Sequence, residues 1–324
     1  MSETGPLFVS SGDLIADRRY QWALDLAGRG DFAAAADILV QALTLAPNFA
    51  TAWFALGAIR DRLGDWDGAV AAFSKVREAD RQDYHGARLQ LARLGAGEAT
   101  PAMTDTYVRR LFDQYATRYD ATLTEHLCYR GPALLREAVA SVMRATGRPL
   151  HFDAMLDLGC GTGLAGAAFR SAVDRLVGVD LSPAMIAQAR AKELYNHLVT
   201  ADLANFLAEA VADAARYDLV LAADVFVYVN DLAPMVAAIA SVLPADGLFA
   251  FTAETHSGGG VKLLPTLRYA HSEAYLRAVL GDSGLSPLRL AAASVRREKG
   301  VPVDSFVVVA QPSTAGRPAA SSRA

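Results

Sequence analysis

The chain is 324 residues long, 52% hydrophobic and 20% charged, with a formal net charge of −4 at pH 7. This length predicts two domains, each able to bury a core, and the composition excludes a disordered or fibrous chain. The mild acidity leaves no electrostatic footprint for nucleic acid, and no run approaches the ~20 apolar residues of a membrane helix.

Residues 1–12 are polar, lack a signal-peptide core and are expected to be disordered. Over 13–97 the sequence repeats. A shift of 34 residues superposes Gly30-Asp31-Phe32 on Gly64-Asp65-Trp66, Trp22-Ala23 on Leu56-Gly57, and Ala35 on Ala69. Each unit reads as a helix, a Gly-Asp-aromatic turn and a second helix, the period of a tetratricopeptide repeat. Small residues stand where paired helices must approach closely. Trp53, Leu56 and Gly57 resemble the repeat's signature, while Arg19 replaces its aromatic in the first unit. A capping helix is expected over Tyr84–Leu94.

Gly95 to Thr104 reads as a linker, and 105–144 as helical, with Tyr107, Leu111, Tyr115 and Tyr119 at four-residue spacing. That stripe is either a packed helix face or a lid over a ligand. Seven strands are expected next: Met155–Leu158, Arg175–Val179, His197–Ala201, Tyr217–Ala222, Gly247–Thr252, Leu288–Val295 and Asp304–Ala310. Helices lie between most of them, notably Pro183–Glu193, Leu232–Val242 and Ser272–Asp282. This alternation predicts a mostly parallel, Rossmann-like sheet covered on both faces. A short Lys299-Gly300 turn reverses the final strand. Residues 312–324 are expected to be a disordered tail.

Chemistry concentrates in Asp157-Leu-Gly-Cys-Gly-Thr-Gly163. Gly159, Gly161 and Gly163 free the backbone to bend sharply against a ligand. Gly161, Gly163 and Gly166 also fit the pattern that cradles a dinucleotide pyrophosphate, but Asp157 at the strand end would repel that group. A carboxylate suits the ammonium and sulfonium of S-adenosylmethionine instead. Asp180, about 20 residues on, is placed to accept two ribose hydroxyls. Asp202 ends the third strand, where an adenine amino group would lie. Cys160 reads as a small residue in the turn, and the scattered histidines give no metal-ligand spacing.

Together with Asp180-Leu-Ser-Pro-Ala-Met185 and Asp218-Leu-Val-Leu-Ala-Ala-Asp224, this segment resembles the successive motifs of class I S-adenosylmethionine-dependent methyltransferases. The resemblance covers Asp105 to about Gln311, with a helical lid over 105–146. It implies a seven-stranded sheet ending in a reversed hairpin. It also implies that Asp157, Gly159, Cys160, Gly161 and Gly163 hold the methionine portion, Asp180 and Leu181 the ribose, and Met185 one adenine face. Asp202 and Leu203 would hold the adenine edge, Tyr119 would belong to the lid, and Asp224 would line the passage to the acceptor. With the repeats included, the chain resembles a bacterial group of tetratricopeptide-methyltransferases.

Methyl transfer from a sulfonium is an in-line displacement that needs a base only when the acceptor is protonated. Asp224 and His256 are the catalytic candidates, with Tyr228, Glu254, Arg268, Tyr269 and His271 nearby in sequence; His271-Ser272-Glu273 reads first as a helix cap, with Ser272 the N-cap. The fourth strand lacks the Asn-Pro-Pro-aromatic sequence that grips a planar nitrogen. A small-molecule or carrier-bound acceptor is therefore expected, with no nucleic acid and no membrane partner. Two alternatives stand beside it: an adaptor whose repeats bind a protein, or a protein methyltransferase whose repeats recruit its substrate. Two cysteines without disulfide spacing suit a cytoplasmic setting.

Overall fold

A computed structural model describes residues 7–97, 103–123 and 127–313. They fall into two units. One runs to Val108 and includes Leu263–Arg268; the other holds Arg109–Lys262 and the chain from Tyr269 onward.

The first unit is a ladder of antiparallel helix pairs: α1 (Leu14–Gly28), α2 (Phe32–Leu45), α3 (Ala50–Leu63), α4 (Trp66–Ala79) and the short α5 (Ala87–Arg93). The repeated Gly-Asp turn has a direct physical cause. Gly30 and Gly64 take the left-handed conformation that ends a helix, and Asp31 and Asp65 then cap the next one by accepting from Ala34 N and Gly68 N. Ala23, Ala35, Leu39, Ala42, Ala52 and Leu56 are buried between the helices. The 34-residue shift fails at one place: Leu56 is buried, whereas Trp22 is 55% exposed and Tyr20 fills the first unit's core.

Two expectations for this unit are corrected. Residues 7–12 are tied down, because the Phe8 ring lies 5.5 Å from Tyr20, and Val9 exchanges two hydrogen bonds with Thr51. Residues 1–6 lie outside the described residues. The capping helix starts at Ala87, not Tyr84, since the turn before it is built around buried His85, bonded to Asp80 at 2.7 Å and to Thr51 at 3.2 Å. The middle of the expected linker, 98–102, also lies outside the described residues.

The second unit is a seven-stranded sheet in the order β3-β2-β1-β4-β5-β9-β8. Its strands are β1 (Phe152–Leu158), β2 (Val173–Asp180), β3 (His197–Thr200), β4 (Leu219–Ala222), β5 (Leu248–Glu254), β8 (Leu285–Glu298) and β9 (Val301–Pro312). The first five run parallel; β9 is antiparallel to β5, and β8 to β9. Alternate residues serve opposite faces. Met155, Leu219, Leu221 and Leu248 pack with α8 (Gly131–Ala145) and α9 (Leu164–Phe169). Leu156, Leu158, Val220 and Phe249 pack beneath α11 (Leu203–Ala212), α12 (Ala233–Val242) and α13 (Glu273–Asp282). The sheet is thus buried on both sides, as the near-continuous apolar strands require.

Helix α10 (Pro183–Ala191) follows β2, and a small ladder, β6 (Val261–Leu263) with β7 (Tyr269–His271), lies outside the main sheet; the sequence reading contained neither this ladder nor α11. The segment 105–144, expected to be helical, consists of α6 (Asp105–Tyr115), a 3-10 turn, α7 (Tyr119–Ala121) and α8. Just before α8, Cys128 has φ +48° and the Arg130 N–H bonds Val295 O of β8 at 2.7 Å. Residues 124–126 lie outside the description. Of the expected tail, Pro312 belongs to β9 and Ser313 bonds Gly284 O; 314–324 are not described. No described helix is long and apolar enough to cross a membrane.

Candidate functional site

The carboxyl ends of β1, β2, β4 and β5 converge, and the chain direction of the crossovers reverses between β1 and β4. Open α/β sheets place ligands at that crevice. Here β1 gives way to Gly159, Gly161 and Gly163, with φ of +63°, +54° and +92°, values that strain any residue with a Cβ. Gly159 serves a second purpose: a Cβ there would lie 2.6 Å from Val225 Cγ2. Gly163 caps α9. Cys160 is a buried free thiol whose backbone N–H bonds Val179 O, and burial pushes the thiol up, consistent with a small turn residue.

Asp157 is 1% exposed. Tyr195 Oη donates to its Oδ2 at 2.6 Å, while Oδ1 has no hydrogen-bond partner among the described residues. Burial raises the carboxyl to about 7, with the Tyr195 bond opposing the rise and the charge of Asp180 adding to it. The electrostatic contrast with a pyrophosphate is therefore softer than a fully ionised aspartate would give. Asp180 accepts from Gly161 N at 2.9 Å and from Ser182 N at 2.8 Å, and burial raises its carboxyl too. It binds the glycine loop and starts α10; each oxygen keeps a lone pair for a further donor.

Leu181 is half-buried and Met185 fully buried. Asp202 is the N-cap of α11, accepting from Asn205 N at 2.9 Å, and Leu203 begins that helix. The α6–α7 segment is pinned to this loop system at two points. Asp113 accepts from Ser182 Oγ at 2.5 Å, and Asp120 accepts from Thr162 Oγ1 and from Lys192 Nζ, the latter at 2.6 Å. Tyr119 comes within 3.9 Å of where a Gly161 Cβ would stand, and Phe112 bridges it to Tyr228 with ring centroids at 5.9 and 5.2 Å. The tyrosine stripe is thus divided. Tyr107 packs on Gly86 in the first unit, while Tyr119 belongs to the glycine loop.

Asp224 follows β4 with φ +62°, its N–H bonded to Thr252 Oγ1 at 2.8 Å. Both its oxygens lie 2.5 Å from Nη1 of Arg296, which is 3% exposed and also pairs with Glu254 and Glu298. Three carboxylates around one guanidinium hold it charged. Sequence reasoning missed Arg296, which lies on the distant β8. It missed Tyr195 too. A signal existed there: Gly166 and Gly178 stand inside a helix and a strand, where glycine marks a close approach.

His256 stands in the turn after β5. Its Nδ1 accepts from Gly258 N at 3.1 Å and its Nε2 donates to Gly260 O at 3.2 Å, so both nitrogens serve the glycine-rich turn. His271 is fully buried, with Nε2 donating to Val229 O; Ser272 caps α13 by accepting from Tyr275 N. Folding also gathers His151, Asp153 and Asp174 within 4.8 Å of one another on the surface, a grouping their spacing does not reveal.

Residues 156–249 match the methyltransferase domain family, and residues 26–93 match the tetratricopeptide repeat family. The human methyltransferase-like protein 27 is 37% identical over 108 residues, 33% of this chain and 42% of that one. The malonyl-[acyl-carrier protein] O-methyltransferase of Enterobacter lignolyticus is 31% identical over 163 residues, 48% of this chain and 60% of that one. The chain thus spans less than two thirds of either relative. A solved magnesium protoporphyrin IX methyltransferase from Synechocystis, with bound S-adenosylhomocysteine, is 23% identical, covers 64% of this chain and 99% of its own, and has a TM-score of 0.49.

Proposed function

We propose that this chain, with its methyltransferase-domain core and its repeats, is an S-adenosylmethionine-dependent methyltransferase acting on a small-molecule or carrier-bound acceptor. The observation that carries the reading is the end of β1: three left-handed glycines beside a buried carboxylate with one unpartnered oxygen. A buried acceptor that lacks a donor is costly; a ligand ammonium would relieve it by donating, and a sulfonium nearby would add only charge. Asp157 and the Gly159–Gly163 turn would hold the methionine portion. Asp180 would accept ribose hydroxyls with its remaining lone pairs. Leu181, Met185, Asp202 and Leu203 would border the adenine.

The bound cofactor supplies an activated methyl group, and the protein supplies alignment and exclusion of water. Tyr119 and Phe112, anchored through Asp113 and Asp120, would cover the site. Asp224 and Glu254 would line the acceptor side, where both stand paired with Arg296 and act as fixed charge, so an acceptor that is already deprotonated fits the site best. Both ring nitrogens of His256 are engaged by its own glycine-rich turn.

The carrier-bound branch draws on the Enterobacter relative, whose name specifies an acyl-carrier-protein substrate. Recruitment of a protein through the repeats is the second reading, favoured by Trp22 and Trp66, which are 55% and 67% exposed on the repeat unit. A cytoplasmic setting completes the proposal. Titration calorimetry tests the cofactor assignment: S-adenosylmethionine binds, Asp180→Ala weakens it at least tenfold, and NADH gives no heat. Equal affinity in Asp180→Ala rejects the site. Labelled methyl donor in cell extract, sorted into protein, nucleic-acid and small-molecule fractions, then identifies the acceptor class.

A further inference from the structure

The third glycine of the loop pattern has an occupant. A Cβ on Gly166 would stand 2.3 Å from Tyr195 Oη, one on Gly178 2.7 Å from Tyr195 Cε1, and one on Gly163 3.0 Å from Cε2. Three glycines, from the loop, α9 and β2, thus form a slot for one phenol ring. That ring enters from the turn between α10 and β3 and ends at Asp157 Oδ2, 2.6 Å away. In a pyrophosphate site the corresponding glycine lets helix and strand approach each other. In this chain the space is filled by the protein's own hydroxyl.

We propose that Tyr195 is a positioning residue for cofactor binding: its phenol occupies one oxygen of Asp157, fixes the carboxylate's rotamer, and leaves Oδ1 as the single acceptor offered to a cationic ligand. This rests on the cofactor reading given above. The consequence is a proton coupled to binding. Burial opposes the ionised carboxylate, as does the charge of Asp180; Tyr195 and the Gly166 N–H favour it, and the charge of Asp157 is in turn felt at the Cys160 thiol and the Tyr129 phenol. With the carboxyl near 7, part of the unliganded population carries a proton on Asp157 at neutral pH. A cation bound beside it drives that proton into solvent, and removing the Tyr195 hydroxyl increases the proton fraction that must leave.

The test is S-adenosylmethionine titration calorimetry on the full chain from pH 6 to pH 9, in buffers of different ionisation enthalpy. Wild-type protein is expected to release more protons near pH 7 than at pH 9, and the comparison with Tyr195→Phe at each pH cancels the titration of the ligand's own amine. Tyr195→Phe keeps the ring in its slot and loses only the donor. Its affinity is expected to fall about tenfold at pH 7, recover towards wild type by pH 9, and show greater proton release, as loss of a bond to a charged group requires. Incorporating 3-fluorotyrosine at position 195, a better donor of the same shape, is expected to move the midpoint the opposite way. A pH profile unchanged in both variants overturns the assignment while leaving the cofactor reading intact. Absence of binding at every pH in wild-type protein rejects the cofactor reading itself. A uniform loss at all pH values in Tyr195→Phe, with wild-type proton release, reduces Tyr195 to packing and also overturns it.

Discussion

Arg296 and Asp224, 72 residues apart, meet with one guanidinium nitrogen 2.5 Å from both carboxylate oxygens. Arg296 sits beside a register shift in β8, between Ser294 and Arg297, and that irregularity belongs to the strand that carries its side chain to the ends of β4 and β5. The pair also helps hold Asp224 in a left-handed backbone conformation that an aspartate tolerates but does not favour.

Arg296→Met should therefore destabilise the second unit by about 3–5 kcal/mol, because buried Glu254 and half-buried Asp224 would lose their counterion. Urea denaturation reads this directly. Adding Glu254→Gln to that variant should restore part of the loss, and Arg296→Lys should fall between the two. A wild-type midpoint for Arg296→Met would mean that the network carries no net stability.

His271 sets a limit on the acid side. Burial lowers its pKa from 6.5 to about 4, with the bond to Val229 O only partly opposing that. The folded state therefore gains from a neutral imidazole above pH 6.5 and loses that gain as pH falls towards 4, on the order of 3 kcal/mol in full. His271→Gln cannot ionise and keeps a donor for Val229 O. Its unfolding midpoint should change less than wild type's between pH 7 and pH 4.5; parallel curves would remove His271 from the acid limb.

In the repeat unit, Gly57 of α3 lies against the ring of Phe73 on α4. A Cβ there would lie 2.7 Å from the ring of Phe73, which is fully buried. Gly57→Ala should cost about 1–3 kcal/mol through overpacking despite alanine's better helix propensity, and hydrogen exchange should quicken in α3 and α4. Slower exchange there would mean the ring moves aside freely.

Much of this was legible in the order of residues. Strand and helix alternation, the glycine bend after β1, the carboxylate after β2 and the 34-residue repeat are local patterns, each imposed by a backbone conformation or by one buried face. Gly30 and Gly64 illustrate the point: a left-handed helix end followed by an aspartate cap is encoded within three residues. Other features are side-chain meetings across long separations, and periodicity reports only which face is buried, not what waits opposite. Tertiary structure alone brought Tyr195 to Asp157, Arg296 to Asp224, and Asp113 and Asp120 to Ser182 and Thr162. It also spent both nitrogens of His256 on a turn, because a histidine's role depends on which groups reach its ring. Local patterning specified the scaffold and the glycine bend after β1. The fold decided which charges stand there paired, and which oxygen is left to receive a donor.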